Sequence, residues 1–205
     1  MSDRTLAVVS AGLGRPSSTR LLADRLAEAT ADALRDHGDG VRVETVELRD
    51  HAHDLMNTML TGFAPSGLRG VIDRVTGADG LIAVTPVFNA SYSGLFKSFF
   101  DVLEDGALEG TPVLIGATGG TARHSLALEF AIRPMFAYLR SVVAPSAVYA
   151  ASEDWGGDGG ASGALTDRAR RAGTELATLI TGRTAVVEPD PYEDPIPFER
   201  LLGDQ

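Results

Sequence analysis

Four hydroxyl side chains and two arginines stand together in the segment SAGLGRPSSTR (Ser10–Arg20), between an apolar run and a helical pattern. The hydroxyls belong to Ser10, Ser17, Ser18 and Thr19, and Arg15 lies among them. Backbone N–H groups at the start of a helix, hydroxyl donors and the helix dipole all favour a bound phosphate dianion. The alternative is an ordinary capped helix preceded by a polar turn.

This segment, called here the first loop, differs from two well-known phosphate-binding motifs. A Walker A motif ends in Gly-Lys-Ser/Thr, and the first loop has no lysine. A dinucleotide motif G-x-G-x-x-G would start at Gly12 and Gly14, but Ser17 takes the place of its third glycine. That glycine allows the close helix–strand packing found at a pyrophosphate site. The remaining pattern suits a terminal monophosphate, which points to FMN rather than NAD or FAD.

A second loop, TPVFNASYSG (residues 85–94), follows a nearly all-apolar run. A redox flavin needs a flat slot in which backbone N–H groups face its N5 edge and its pyrimidine oxygens. Asn89, Ala90 and Ser91 are small or polar enough for such a slot, and Phe88 and Tyr92 are placed to flank a ring. The alternative is a buried strand that turns into a capped helix.

A third loop, ATGGTARHS (residues 117–125), places Gly119 and Gly120 at the predicted end of a strand. Glycines there allow the backbone to approach a planar ligand closely, although a simple turn explains them equally well in isolation. Thr118 and Thr121 supply hydroxyls. His124 is assigned a substrate-positioning role or a subunit contact, because hydride transfer between nicotinamide and flavin needs alignment rather than a side-chain acid or base. No catalytic side chain is therefore expected.

The elements that must position these loops alternate along the chain. Strands are predicted over residues 5–10, 41–48, 80–88, 111–118 and 141–150, the last interrupted by Pro145. Helices are predicted over residues 17–35, 67–76, 93–103, 122–140 and 165–181, with a short helix or loop at 51–60 and a glycine-rich loop at 155–163. This alternation indicates an α/β fold with right-handed crossovers. Five strands favour a flavodoxin-like, doubly wound parallel sheet of order 2-1-3-4-5, whose ligands bind at the carboxyl ends of strands 1 and 3, where the three loops meet.

Composition limits the remaining classes. The 205 residues are 44% hydrophobic, enough for one domain over residues 1–182, followed by a proline-rich acidic tail over 183–205. A net charge of −10 argues against a nucleic-acid partner, and the absence of cysteine excludes disulfides and thiolate chemistry. No apolar run approaches the roughly 20 residues of a membrane span, so we expect a soluble, cytoplasmic protein. His51 and His53 point apart on a helix, so no metal site is expected.

The second and third loops, extended as TPVFNASYSGLFKSFFD and ATGGTARHSLALEFAIRPMF, together with the first loop, resemble the NAD(P)H-dependent FMN reductase family. The resemblance covers residues 5–151 and is closest to the flavin reductases of two-component luciferase-like and alkanesulfonate monooxygenase systems. It implies that the FMN phosphate is held by Ser10, Arg15, Ser17, Ser18 and Thr19. It also implies that one side of the isoalloxazine is lined by Pro86, Val87, Phe88, Asn89, Ala90 and Ser91, and its other edge by Thr118, Gly119, Gly120 and Thr121.

The function implied by this resemblance is hydride transfer from NADPH or NADH to flavin N5, with reduced FMN supplied to a partner monooxygenase. The family forms dimers or tetramers, so a homo-oligomer is expected. Alkanesulfonate-type members carry a tyrosine, associated with a tetramer interface, where Phe130 stands in this chain. Two alternatives stay open: a quinone or azo-dye reductase with bound FMN, and a flavodoxin-type electron carrier. The sequence leaves the choice between NADPH and NADH open.

Overall fold

The computed structural model describes residues 3–155 and 161–183. Within them, the strands are β1 (Asp3–Ser10), β2 (Gly40–Glu47), β3 (Gly80–Phe88), β4 (Ser91–Tyr92), β5 (Pro112–Gly119), β6 (Val142–Val143) and β7 (Val148–Ala151). The α-helices are α1 (Ser18–Asp36), α2 (Ala52–Thr61), α3 (Ser66–Thr76), α4 (Gly94–Asp101), α5 (Arg133–Tyr138) and α6 (Ala161–Gly182). The predicted tail lies outside the described residues beyond Arg183.

The strands form one sheet of order β2-β1-β3-β5, and both β6 and β7 pair with β5 at the far position. Every pairing is parallel except that of β4, which folds back antiparallel on the end of β3. The predicted α/β flavodoxin-like sheet is confirmed, with β5 as its fourth strand and β6 and β7 sharing the fifth position.

The predicted fifth strand is two short strands because Pro145 lies between them. Proline has no N–H to donate to a sheet ladder, and β6 ends at Val143 before the chain re-enters the sheet at Val148. The Arg133 guanidinium bridges the gap, donating to the carbonyl oxygens of Ala144 at 2.9 Å and Pro145 at 3.1 Å. The interruption is therefore held by a side chain from α5.

The prediction of one helix over residues 122–140 was wrong in its continuity. The segment contains a 3₁₀ turn at Ala122–His124, a π-helical turn at Leu128–Ile132 and then α5. Pro134 lies in the first turn of α5, where its missing N–H costs no helical hydrogen bond. In contrast, α6 begins at Ala161, so residues 161–163 of the predicted glycine-rich loop are helical.

Two hydrophobic layers pack on the sheet. Aliphatic side chains such as Leu22, Leu26 and Leu176 fill the layer beneath α1 and α6. The opposite layer, beneath α2 to α5, contains a cluster of phenylalanines in which the Phe100 ring lies 4.9 Å from both Phe96 and Phe136, edge to face. No helix within the described residues combines the length and apolar character that a membrane span needs.

The register brings the loops to one edge. Ser10 at the end of β1 is paired with Val84 of β3, and Pro86 of β3 is paired with Thr118 of β5. Since these strands run parallel, the three loops leave the sheet side by side at its carboxyl edge.

Candidate functional site

The three loops enclose a cleft of about 340 Å³ at the carboxyl edge of the sheet, within the range of small-molecule sites. Of the residues predicted for the site, those that line the cleft are Ser17, Ser18, Thr19, Pro86, Val87, Phe88, Thr118, Gly119 and Gly120. Leu13, Gly14, Pro16 and Ser152 complete the lining. The structure therefore brings the first, second and third loops together as the topology requires.

The first loop ends at the capped N-terminus of α1, whose first residues line the cleft. Ser17 caps α1, and its Oγ accepts a hydrogen bond of 3.2 Å from the Arg20 N–H. The N–H groups of Ser18 and Thr19 precede the first intrahelical bond, which Leu21 donates to the Ser17 carbonyl at 3.1 Å. Gly12 packs so closely that an added Cβ would lie 2.0 Å from Ser17 Oγ. The loop thus presents free N–H donors beside serine hydroxyls.

The arginines around the first loop are all bound to carboxylates. Arg15, which is exposed, pairs with Asp50 at 3.0 Å and does not line the cleft. Arg20 pairs with Asp24 and with Glu47, each at 2.8 Å, and the hydrogen bond to Asp24 raises its pKa further above the usual range.

Arg49 is a functional candidate that sequence reasoning missed. Its side chain is only 16% exposed, donates to the Gly14 carbonyl oxygen and pairs with Glu47. It therefore ties the first loop to the 3₁₀ turn at Leu48–His51. In the sequence, Arg49 is recognisable only as a residue just after β2. That β2 lies next to β1, and so that Arg49 can reach the first loop, is known only once the sheet order is known.

Three hydroxyl groups are buried at the carboxyl edge of the sheet, near the first loop. The Ser10 side chain is 1% exposed, and its Oγ has no hydrogen-bond partner among the described residues. Thr19 Oγ1 and Thr118 Oγ1 are buried 2.8 Å apart and bind each other, joining the start of α1 to the end of β5. A buried hydroxyl without a partner is costly, so the Ser10 hydroxyl marks a place where a further polar group fits.

The second loop is a tight hairpin. Asn89 and Ala90 have positive φ values of 49° and 66°, as a two-residue hairpin turn requires, and they lead from β3 into β4. The turn exposes Asn89 and Ala90 and pairs Ser91 with Phe88, so these three predicted residues flank the cleft without lining it. Ser93 then caps α4, accepting from the Phe96 N–H at 3.2 Å.

The third loop rests on Tyr149 of β7, a second residue that sequence reasoning missed. The Tyr149 hydroxyl donates to the Thr121 carbonyl oxygen at 2.9 Å, and a Cβ added to Gly119 would lie 2.1 Å from that hydroxyl. Burial raises the pKa of the Tyr149 phenol, so it stays a hydrogen-bond donor. Gly119 is therefore required by the aromatic side chain beneath it. His124 is exposed on the 3₁₀ turn that follows and does not line the cleft.

Comparison with known proteins decides the family. The model of the family described as NADPH-dependent FMN reductase matches residues 4–156, about three quarters of the chain. The chain belongs to this family. It is an oxidoreductase that uses FMN and NAD(P)H.

Relatives and solved structures agree with this assignment. The chain is 36% identical to the FMN reductase (NADPH) of Pseudomonas aeruginosa, over 88% of this chain and 94% of that protein. It is 32% identical to the NADH-dependent FMN reductase SfnE of Pseudomonas putida, over 87% and 93% respectively. The crystal structure of an oxidoreductase from Corynebacterium diphtheriae superposes with a TM-score of 0.84 at 47% identity, covering 88% of this chain and 98% of that one.

The residues of this FMN reductase fit its cofactor in two respects. The buried Ser10 hydroxyl at the end of β1 has no partner among the described residues, and the N-terminus of α1 has free N–H donors; both suit an anion with several acceptor oxygens. In the third loop, Gly119 and Gly120 line the cleft and carry no side chain between the backbone and a planar ring. The donors and the glycines belong to different loops, as a ligand with a phosphate at one end and a ring at the other requires.

A larger groove, of about 540 Å³, lies between α1 and α6, away from all three loops. Charged side chains of both signs line it, including Glu28, Asp32 and Arg170. It contains none of the groups discussed above, so the smaller cleft is the candidate active site of the reductase.

Proposed function

We propose that the cleft binds FMN with its phosphate at the N-terminus of α1 and its ring between the second and third loops. The observation that carries this proposal is that the cleft is lined by the hydroxyl side chains of Ser17, Ser18 and Thr19 at the start of α1, where the helix has free N–H groups. The buried Ser10 hydroxyl at the end of β1, which has no partner among the described residues, supports it. Held there, FMN would supply a ring that can take up a hydride from NAD(P)H at N5. Arg15 reaches the phosphate in this proposal by exchanging Asp50 for it, since the pair is exposed and so weakly held.

The protein's own part in the reaction is orientation. The third loop lines the cleft with glycines, and His124 at its end is proposed to position the nicotinamide substrate. Asn89, Ala90, Ser91 and Thr121 contribute through their backbone groups, as their places in turns beside the cleft allow. No side-chain proton transfer is needed for hydride transfer between two rings.

The proposed physiological role is supply of reduced FMN to a partner monooxygenase in the cytoplasm. The test is NAD(P)H oxidation by flavin-free protein with added FMN varied as the second substrate. Saturable turnover, with reduced FMN accumulating under anaerobic conditions, supports the proposal. If FMN instead restores only one stoichiometric equivalent and turnover needs a quinone or azo dye, the chain is an acceptor reductase. No oxidation of NAD(P)H under either condition would indicate an electron carrier.

A homo-oligomer, dimer or tetramer, is proposed for the same chain. Large apolar side chains are exposed on the helical layer of α2 to α5: Leu60 and Phe63 at 79%, Phe130 at 77% and Tyr138 at 87%. Exposed apolar groups on one layer are typical of an interaction surface. The mass of the protein in solution, measured by light scattering, tests this, with Phe63→Asp and Phe130→Asp expected to lower it. A monomeric wild-type protein would contradict the proposal.

A further inference from the structure

Among the described residues, Arg123 is a cation without a partner, whereas the arginines around the first loop are paired with carboxylates. Around the first loop three guanidinium groups face three carboxylates, which are Asp24, Glu47 and Asp50. Arg123 is exposed on the 3₁₀ turn after the third loop, and its side chain has no hydrogen bond or ion pair with any described residue. The two sides of the cleft therefore differ in the charge they offer a ligand.

The backbone that carries Arg123 is held in place. The Tyr149 hydroxyl binds the Thr121 carbonyl oxygen at 2.9 Å, and the Ser125 N–H binds the Ala122 carbonyl oxygen at 3.1 Å. Gly120, which lines the cleft, lies three residues earlier, so the two Cα atoms are at most about 11 Å apart. Arg123 thus combines an anchored backbone close to the cleft with an exposed guanidinium that has no partner among the described residues.

This arrangement suits a phosphate that arrives with the nicotinamide substrate. NADPH differs from NADH only in its 2′-phosphate, and a guanidinium binds phosphate through two parallel hydrogen bonds. The chain carries a net charge of −10, so its overall field repels the more highly charged nucleotide and recognition needs a local cation. The first-loop arginines supply none without breaking an existing ion pair.

We propose that Arg123 binds the 2′-phosphate of NADPH and makes this reductase prefer NADPH over NADH. The inference rests on the proposed function, because it takes the open face of the cleft beside the third loop as the nicotinamide side. It assigns a specificity-determining role to a residue outside the FMN site.

The test compares both nucleotides in wild-type protein and in Arg123→Gln. We expect kcat/KM for NADPH to fall at least tenfold, mainly through KM, and kcat/KM for NADH to change less than twofold. Arg123→Lys keeps a charge but loses the paired donors, so its kcat/KM for NADPH should lie between the values of wild type and Arg123→Gln. Arg69→Gln is the matched control, since Arg69 is an exposed arginine of α3 whose side chain is also unpaired among the described residues.

A binding measurement separates this inference from the proposed function. Calorimetric titration with 2′,5′-ADP and with 5′-AMP measures binding without turnover. Arg123→Gln should lower the affinity for 2′,5′-ADP by tenfold or more and leave the affinity for 5′-AMP unchanged. Equal losses for NADPH and NADH, an unchanged preference, or a wild type that favours NADH would overturn the inference. A wild type that oxidises neither nucleotide would defeat the proposed function, and the 2′,5′-ADP titration alone would then decide the role of Arg123.

Discussion

The first and third loops line the cleft with different kinds of groups. The first loop is dense with polar groups: a capped helix N-terminus, serine hydroxyls, and arginines balanced by carboxylates. Where the third loop lines the cleft at Gly119 and Gly120 it has no side chains, and Gly119 packs against the buried Tyr149. We infer that the first side holds a fixed anionic group through preorganised donors, while the second provides shape. Substitutions in the two loops should therefore lower FMN affinity for different reasons.

Gly119→Ala should have the largest effect, on the side built by shape. Its Cβ would lie 2.1 Å from the Tyr149 hydroxyl, so the tyrosine must move and release the Thr121 carbonyl. We expect FMN affinity, measured by fluorescence titration, to fall about 100-fold, corresponding to roughly 2.7 kcal/mol. Gly70→Ala in α3 is the control, because nothing lies within 4 Å of its added Cβ and alanine favours a helix. Unchanged FMN affinity in Gly119→Ala would remove the third loop from the site.

Arg49→Met should have the second-largest effect on FMN affinity, because Arg49 holds the first loop in place. It frees the Gly14 carbonyl and leaves Glu47 with one arginine partner instead of two. Loss of a charged hydrogen bond in a mostly buried setting predicts about 2 kcal/mol, or roughly a 30-fold weaker FMN affinity. Arg35→Met, which removes an exposed ion pair with Asp32 in the last turn of α1, should change the affinity little. Equal effects of the two variants would contradict the role given to Arg49.

Ser10→Ala distinguishes binding from stability on the same side. The Ser10 hydroxyl is buried without a partner among the residues that the structure describes, so its removal should leave the free energy of unfolding of the flavin-free protein unchanged or raise it by about 1 kcal/mol. FMN affinity should fall about tenfold if this hydroxyl binds the phosphate. Thermal unfolding with and without FMN checks both statements. A loss of stability in the flavin-free protein would show that Ser10 has a structural partner.

Tyr149→Phe should have the smallest effect at neutral pH, about threefold in FMN affinity, because one neutral hydrogen bond contributes about 1 kcal/mol or less. The two proteins should differ more clearly at alkaline pH. Burial raises the pKa of Tyr149, so the stability that its protonated form contributes is present below about pH 10 and is lost as the pH rises above it. FMN affinity and unfolding measured from pH 8 to 11 should decline more steeply in wild type than in Tyr149→Phe. Parallel profiles would contradict this role.

Sequence patterns and the family resemblance located most of the fold and nine of the thirteen residues that line the cleft. The apolar run from Gly80 to Phe88 matches β3 at both ends, because a strand buried on both faces is apolar throughout. The helix predicted over residues 122–140 failed near its start, where a turn separates the 3₁₀ turn at Ala122–His124 from the π-helical turn at Leu128–Ile132, since periodicity does not register a change from 3.6 residues per turn.

The sequence by itself determined the alternation of strands and helices, the three loops at one sheet edge and the hydroxyl-rich start of α1, because these depend on local patterns and on topology. Only the tertiary structure decided that Arg49 holds the first loop, that Tyr149 lies under Gly119 and that Arg123 stands unpaired among the described residues. Each of these depends on side chains from elements far apart in the chain. Whether a charge or hydroxyl finds a partner is set by distance in space, which residue spacing along the sequence does not encode.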